Sequence, residues 1–154
     1  MAIGSGSSTG WIGYFVINPA GGSTVLNTIS PALFIDEVSN PRAVTTDPLG
    51  RFVYVANEAD SNTTTASTIS VYAINQATGA LTAGTPVSAG FNPRSVAVDP
   101  SGRFLYAANL GVGAAPHGSV SVFRIDQDTG ALTPGVPVAA GTHPLFVTTV
   151  GSVQ

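Results

Sequence analysis

The chain reads as short apolar runs separated by tight polar turns, and nowhere do its apolar residues recur every three to four positions over a sustained stretch. Phe52-Val53-Tyr54-Val55-Ala56 is apolar throughout, so an extended element here has both faces to cover; Phe104-Leu105-Tyr106-Ala107-Ala108 repeats the feature. Each run is preceded by Asp-Pro-x-Gly-Arg, at Asp47–Arg51 and Asp99–Arg103. Asp at the first, Pro at the second and Gly at the fourth position suit a type I turn, which makes each motif the tip of a hairpin. It joins a strand A (Ala43–Thr46; Ser95–Val98) to a strand B (Phe52–Ala56; Phe104–Ala108). After a polar loop come a strand C (Ile69–Ile74; Val120–Ile125), a turn (Asn75–Gly79; Asp126–Gly130) and a strand D near Thr85–Ala89 and Val136–Ala140.

These elements form a repeat. Residues 41–57 return as 93–109 with 11 of 17 identities at an offset of 52, and residues 71–90 return as 122–141 with 13 of 20 at an offset of 51. The one-residue difference falls in the loop between. A whole four-stranded antiparallel unit that repeats, with its second strand apolar on both faces, predicts an all-β fold built of β-propeller blades. A β-sandwich does not repeat such a unit. The expected organisation is a flexible leader at 1–10, a partial blade of strands C and D at 11–39, complete blades at 40–91 and 92–142, and a lone inner strand A at 143–154. The partial blade is placed by the likeness of Gly13–Gly21 to Ser70–Thr78, and the lone strand by that of Pro144–Val150 to Pro93–Asp99. Closed propellers have about four to eight blades, so just under three are not expected to close a ring alone.

Composition narrows the partners. Charged residues make up only 8% of the 154, all five cations are Arg, and the net charge is −3. With no basic cluster, nucleic acid is excluded as a partner, because its binding requires many phosphates to be neutralised. The absence of Cys removes disulfides, thiol nucleophiles and Cys-based zinc sites. No apolar run reaches the roughly 18 residues of a membrane span, and Met1–Gly10 has neither the basic nor the apolar region of a signal peptide. Ser, Thr, Ala and Gly in place of Lys and Glu lean towards an exported or surface protein. A weakly charged surface opposes self-association poorly, and half-blades at both ends would leave strand edges and apolar residues such as Tyr14, Val16, Phe146 and Val150 open. The expected partner is therefore a second copy, joined head to tail as a homodimer of about six blades or, failing closure, as a filament.

The pattern Asn-Pro-Arg…Asp-Pro-x-Gly-Arg-Phe-x-Tyr-x-Ala-Asn, followed by Ser-Val-Tyr-x-Ile-Asn-x-x-Thr-Gly-Ala-Leu-Thr, resembles the seven-bladed propeller lactonases from about residue 11 to 150. That family includes propeller-type 6-phosphogluconolactonases and carboxymuconate lactonizing enzymes. YVTN-type surface propellers share the Gly-Arg-x-x-Tyr-Val-Ala-Asn element, with repeats nearer forty residues. The resemblance implies an Arg and a Glu at a channel mouth, and Arg42 and Glu58 stand at those positions, although Ala43 replaces the His that commonly follows the Arg. On this reading Arg42 binds a carboxylate or phosphate through its planar fork, and Glu58 orients it or handles a proton. These two are the candidate catalytic residues.

Arg94 is the repeat of Arg42 and a candidate ligand residue, but Leu110 stands where Glu58 would repeat, which leaves one Arg–Glu pair. His143, ahead of Pro144, is a second candidate ligand residue at the mouth. Each has a structural alternative: the arginines can cap strand starts, Glu58 can be a solvated loop residue, and Arg51 and Arg103 can serve Asp47 and Asp99 in their turns. Asp126-Gln-Asp-Thr-Gly130 opens like a calcium loop, yet Pro137 occupies the position of the closing Glu, so no metal and no cofactor is expected. No Ser-His-Asp arrangement, phosphate loop or HExxH motif is present. Two functions follow: a self-assembling propeller module with at most a remnant anion site, and a lactonase-like hydrolase active only in a completed ring.

Overall fold

The computed structural model describes residues 40–59, 67–111 and 118–151, and the backbone of 2–6 and 9–13. All regular structure among these is antiparallel β. An N-terminal hairpin pairs β1 (Ala2–Gly6) with β2 (Thr9–Gly13), and β1 runs beside the first inner strand. The sequence pattern had suggested a leader in this region. Residues 14–39, expected to hold most of a partial blade, lie outside the described residues.

The first blade consists of β3 (Pro41–Thr46), β4 (Phe52–Asn57), β5 (Thr68–Ile74), β6 (Leu81–Ala83) and β7 (Val87–Ser88). The second repeats it as β8 (Pro93–Val98), β9 (Phe104–Asn109), β10 (Ser119–Ile125), β11 (Leu132–Pro134) and β12 (Val138–Ala139). Each outer strand D is broken in two, with both pieces paired to strand C, and it begins earlier than the sequence pattern implied. The break falls at Gly84-Thr85-Pro86 and Gly135-Val136-Pro137, where proline has no N–H to donate to the ladder.

The Asp-Pro-x-Gly turns form as their chemistry dictates. Gly50 N–H donates to Asp47 C=O at 3.0 Å, and Asp47 Oδ1 accepts from the N–H groups of Arg51 (2.5 Å) and Phe52 (2.9 Å). Asp99 repeats this with Gly102, Arg103 and Phe104. Burial alone would raise the Asp99 carboxyl, but hydrogen bonds from Ser101, Phe104 and Arg103 outweigh it and hold the group below its ordinary value.

The main core lies between the blades. Phe52, Tyr54, Ala56, Ile69 and Val71 from the first blade meet Val96, Leu105, Ala107, Phe123, Ile125 and Leu132 from the second. A second cluster, Val53, Val55 and Tyr72, fills the other face of the first blade. Strand B therefore buries alternate residues into two different cores, which accounts for its unbroken apolar sequence.

Polar bonds fasten the same boundary. Tyr54 Oη–H donates to Gly130 C=O at 3.1 Å, and Arg51 Nη1 donates to Gln127 C=O at 2.9 Å while its Nε pairs with Asp47 at 3.1 Å. Burial, reinforced by the Asp47 charge, pushes the Tyr54 phenol well above its ordinary value and keeps it a neutral donor. Gly130 has φ +73° and lies so close to the Phe52 ring that a β-carbon there would overlap it.

Residues 143–150 do not form a strand ladder. They lie extended against β8 through side chains: Ser95 Oγ bonds both N–H and C=O of Val147, and Thr149 Oγ1 donates to Val98 C=O. The strand A expected at 143–154 is not formed among the described residues, and the segment bonds to β8 through the Ser95 and Thr149 side chains.

Candidate Arg–Glu–Arg site

The site is built by a device repeated in both blades. Asn40 and Asn92 each adopt a left-handed backbone (φ 55° and 53°) immediately before a proline. The ladder then slips between Pro41 and Ala43, and between Pro93 and Ser95, so Arg42 and Arg94 are the extra residues of β-bulges. A bulge leaves its residue out of the pleat and re-aims the side chain. Beside each one, Asn40 C=O accepts from Glu58 N–H at 3.0 Å, and Asn92 C=O accepts from Leu110 N–H at 3.0 Å. The strand-A bulge and the residue just past strand B are thereby held together at one end of the blade.

Glu58 is the centre of the cluster. Its Oε2 accepts from Arg42 Nε and pairs with Arg42 Nη2, and its Oε1 accepts from Arg94 Nη2 at 3.1 Å. The Glu58 side chain is only 11% exposed, whereas those of Arg42 and Arg94 are 43% and 31% exposed. The carboxylate is therefore enclosed by two guanidinium groups whose outer edges reach solvent. The trio carries a net charge of +1, and each guanidinium keeps donors that Glu58 does not use. Sequence reasoning paired Arg42 with Glu58 but left Arg94 without an acid. The structure brings Arg94 to the Glu58 of the preceding blade, across 36 positions of sequence.

His143 takes the third position of the same series, left-handed (φ 54°) and before Pro144, and is exposed. No hydrogen bond or ion pair joins it to the trio. The residue that repeats Arg42 and Arg94 there is Leu145, also exposed.

Sequence reasoning placed Asn57 beside Glu58 in the motif but gave no role to it or to Asn109, the last residues of β4 and β9, both buried. Asn57 Nδ2 donates to Thr68 Oγ1 and Ser70 Oγ, and Asn109 Nδ2 donates to Ser119 and Ser121 in the same way. They clamp strands B and C directly beneath the rim. The recurrence of Ala-Asn at both strand ends was the available signal.

At the other end of the second blade, a cavity of about 310 Å³ is lined by Arg103, Arg124, Ile125, Asp126, Gln127 and Thr133. Asp126 has its Oδ1 engaged by Thr129 N–H and Oγ1–H and by Asp128 N–H. These bonds, Thr129 N–H first, hold its carboxyl below the ordinary value and make it a turn residue. No group of three or more His, Asp or Glu side chains comes together among the described residues.

Two bulged arginines at matching places on blades of this repeat, both held by the acid that follows the first hairpin, agree with a family match: the description Lactonase, 7-bladed beta-propeller covers residues 15–149. The chain belongs to this family. A 6-phosphogluconolactonase of Sodalis glossinidius is 32% identical over 90% of this chain and 39% of its own length. Another, from Pectobacterium carotovorum, is 32% identical over 65% of this chain and 27% of its own. The solved periplasmic gluconolactonase of Pseudomonas aeruginosa superposes with a TM-score of 0.64 at 27% identity, over 96% of this chain and 41% of that one. This lactonase-family chain thus spans about two fifths or less of the length of the relatives it matches.

Proposed function

We propose that the Arg42–Glu58–Arg94 cluster is an anion clamp for a sugar-acid lactone, forming part of the site of a propeller lactonase. The observation that carries this reading is one enclosed carboxylate holding two bulge-presented guanidinium groups with their outer edges free. Two arginines fixed in this way recognise a carboxylate or phosphate by charge-assisted, bidentate hydrogen bonds. Glu58 acts chiefly as a positioning residue, since without it two like charges would repel and turn outward. The names of the relatives favour a 6-phosphogluconolactone or gluconolactone as substrate class. Propeller sites draw on several blades, so catalysis belongs to a ring larger than these two, and this chain alone is expected to hydrolyse such lactones little faster than water does. Calorimetric titration with 6-phosphogluconate tests the clamp: binding should weaken at least about tenfold in Arg42→Ala and in Arg94→Ala. Binding indifferent to both would reject it.

A second reading, self-association by strand addition, is favoured by a specific observation. Leu145, Phe146 and Val150 are exposed on an extended segment whose backbone forms no ladder. Such a segment can be paired by the edge of a neighbouring copy.

A further inference from the structure

Glu58 and Arg94 are 36 positions apart and belong to different blades, so the two backbones that carry them have to be fixed against each other. Glu58 stands just past the end of β4, and Arg94 follows Asn92, whose φ is 53°. An ion pair with one partner partly in solvent contributes too little to do this alone.

Ser67, the residue before β5, joins the two. It is 2% exposed, and its Oγ accepts from two backbone N–H groups. One is that of Ala59, next after Glu58, at 3.1 Å; the other is that of Asn92, two residues before Arg94, at 3.3 Å. Ser67 C=O accepts from Ala89 N–H at 2.7 Å, which ties the start of strand C to the segment leading to Asn92. The other polar groups of Asn92 are engaged as well: its C=O accepts from Leu110 N–H, and its Nδ2 donates to Gly111 C=O at 2.9 Å. One hydroxyl oxygen, with both lone pairs filled, therefore connects the acid-bearing end of the first blade to the strand start that presents the second arginine.

The next repeat supplies an internal control. Gly118 stands where Ser67 does, Leu110 where Glu58 does, and Leu145 where Arg94 does. Gly118 has no hydroxyl, and a β-carbon there would overlap Pro144. Gly111, the counterpart of Ala59, has φ +87° and sends its N–H to Phe91 C=O at 3.1 Å. Serine, acid and arginine are thus present together in one repeat and replaced together in the next, although the surrounding strands and turns recur closely.

We propose that Ser67 is the positioning residue of the Glu58–Arg94 pair, its Oγ holding the two backbones so that Glu58 can orient Arg94 towards an anion. The inference takes its ligand from the clamp reading above; the linkage itself stands on the hydrogen bonds. Being buried, Ser67 acts through the pair and not on the ligand. Removing its Oγ leaves two backbone N–H groups without their acceptor, and the segments that carry them must shift to find another.

A double-mutant cycle read from urea unfolding tests the linkage, with circular dichroism verifying that each variant is folded. Where Ser67→Ala has already loosened the pair, Arg94→Ala should lower the folding equilibrium constant about three- to tenfold less than it does in the wild-type chain. Arg51→Gln, at the opposite end of the blade, should cost the same in both backgrounds. Calorimetric titration with 6-phosphogluconate gives the second readout. Ser67→Ala should bind about three- to tenfold more weakly, and Ser67→Thr, which keeps an oxygen at this place, should restore most of the affinity. Additive losses in the cycle overturn the proposal, as does an affinity that Ser67→Ala leaves unchanged. Equal weakening in the folded Ser67→Ala and Ser67→Thr variants also overturns it, by assigning the effect to packing. A wild-type chain that does not bind 6-phosphogluconate overturns the clamp reading, while a coupled cycle in that same chain upholds Ser67 as the link between Glu58 and Arg94.

Discussion

The two blades share most of their residues and turns, yet they spend them differently. In the first, Phe52, Tyr54 and Arg51 are covered by the second blade and bonded to its Asp126–Gly130 turn. In the second, Phe104, Tyr106 and Arg103 occupy the same places on the same strand, with more of each open to solvent. Asp47 is buried and paired with Arg51, whereas Asp99 is half-exposed and relies on Ser101 and backbone N–H groups. A propeller motif thus acquires core status from its neighbour. Its sequence supplies the capacity, and the adjoining sheet turns that capacity into stability.

This contrast can be broken by paired substitutions read as urea-unfolding midpoints at dilute protein. The largest difference is expected for Tyr54→Ala, which should cost about 3–5 kcal/mol by emptying a fully buried ring site, against about 1–2 kcal/mol for Tyr106→Ala. Equal losses would show that the second blade is covered as completely as the first. Next comes Gly130→Ala: the positive φ and the collision with Phe52 together should cost about 2–4 kcal/mol. Gly79→Ala should cost about 1 kcal/mol, from backbone strain alone.

The rim offers a smaller test. Glu58 serves two arginines, while its counterpart Leu110 serves none. Glu58→Gln should destabilise the fold by about 1–2 kcal/mol, discounted for the partial exposure of both guanidinium groups, and should abolish 6-phosphogluconate binding by releasing them. A variant that binds as well as wild type would remove Glu58 from any positioning role. The smallest effect concerns acid. Because the folded Asp99 carboxyl lies below its ordinary value, its contribution to stability is complete above the unfolded value of about 3.9 and disappears as pH falls through the folded one. The stability gap between wild type and Asp99→Asn should therefore be widest near neutrality and close below about pH 4. A gap constant across that range would contradict the hydrogen-bonded carboxylate.

Much of this architecture is legible in the residues because it is local. Asp-Pro-x-Gly-Arg dictates a hairpin through the preferences of five adjacent positions, strand B announces two buried faces by being apolar at each residue, and the recurrence of the unit implies stacked blades. The pairing of Arg42 with Glu58 was readable for the same reason, since a hairpin returns its two ends to one place. Other features depend on groups distant in sequence. That Arg94 crosses a blade boundary to share Glu58, that both arginines sit on bulges, and that strand D breaks at its proline are set by how sheets stack and how ladders absorb a residue. Tyr54 and Tyr106 state the division most plainly. Sequence made them equivalent, and only the sheet packed against Tyr54 made its hydroxyl an inter-blade bond, because burial and partnership belong to the pair of surfaces and not to either one alone.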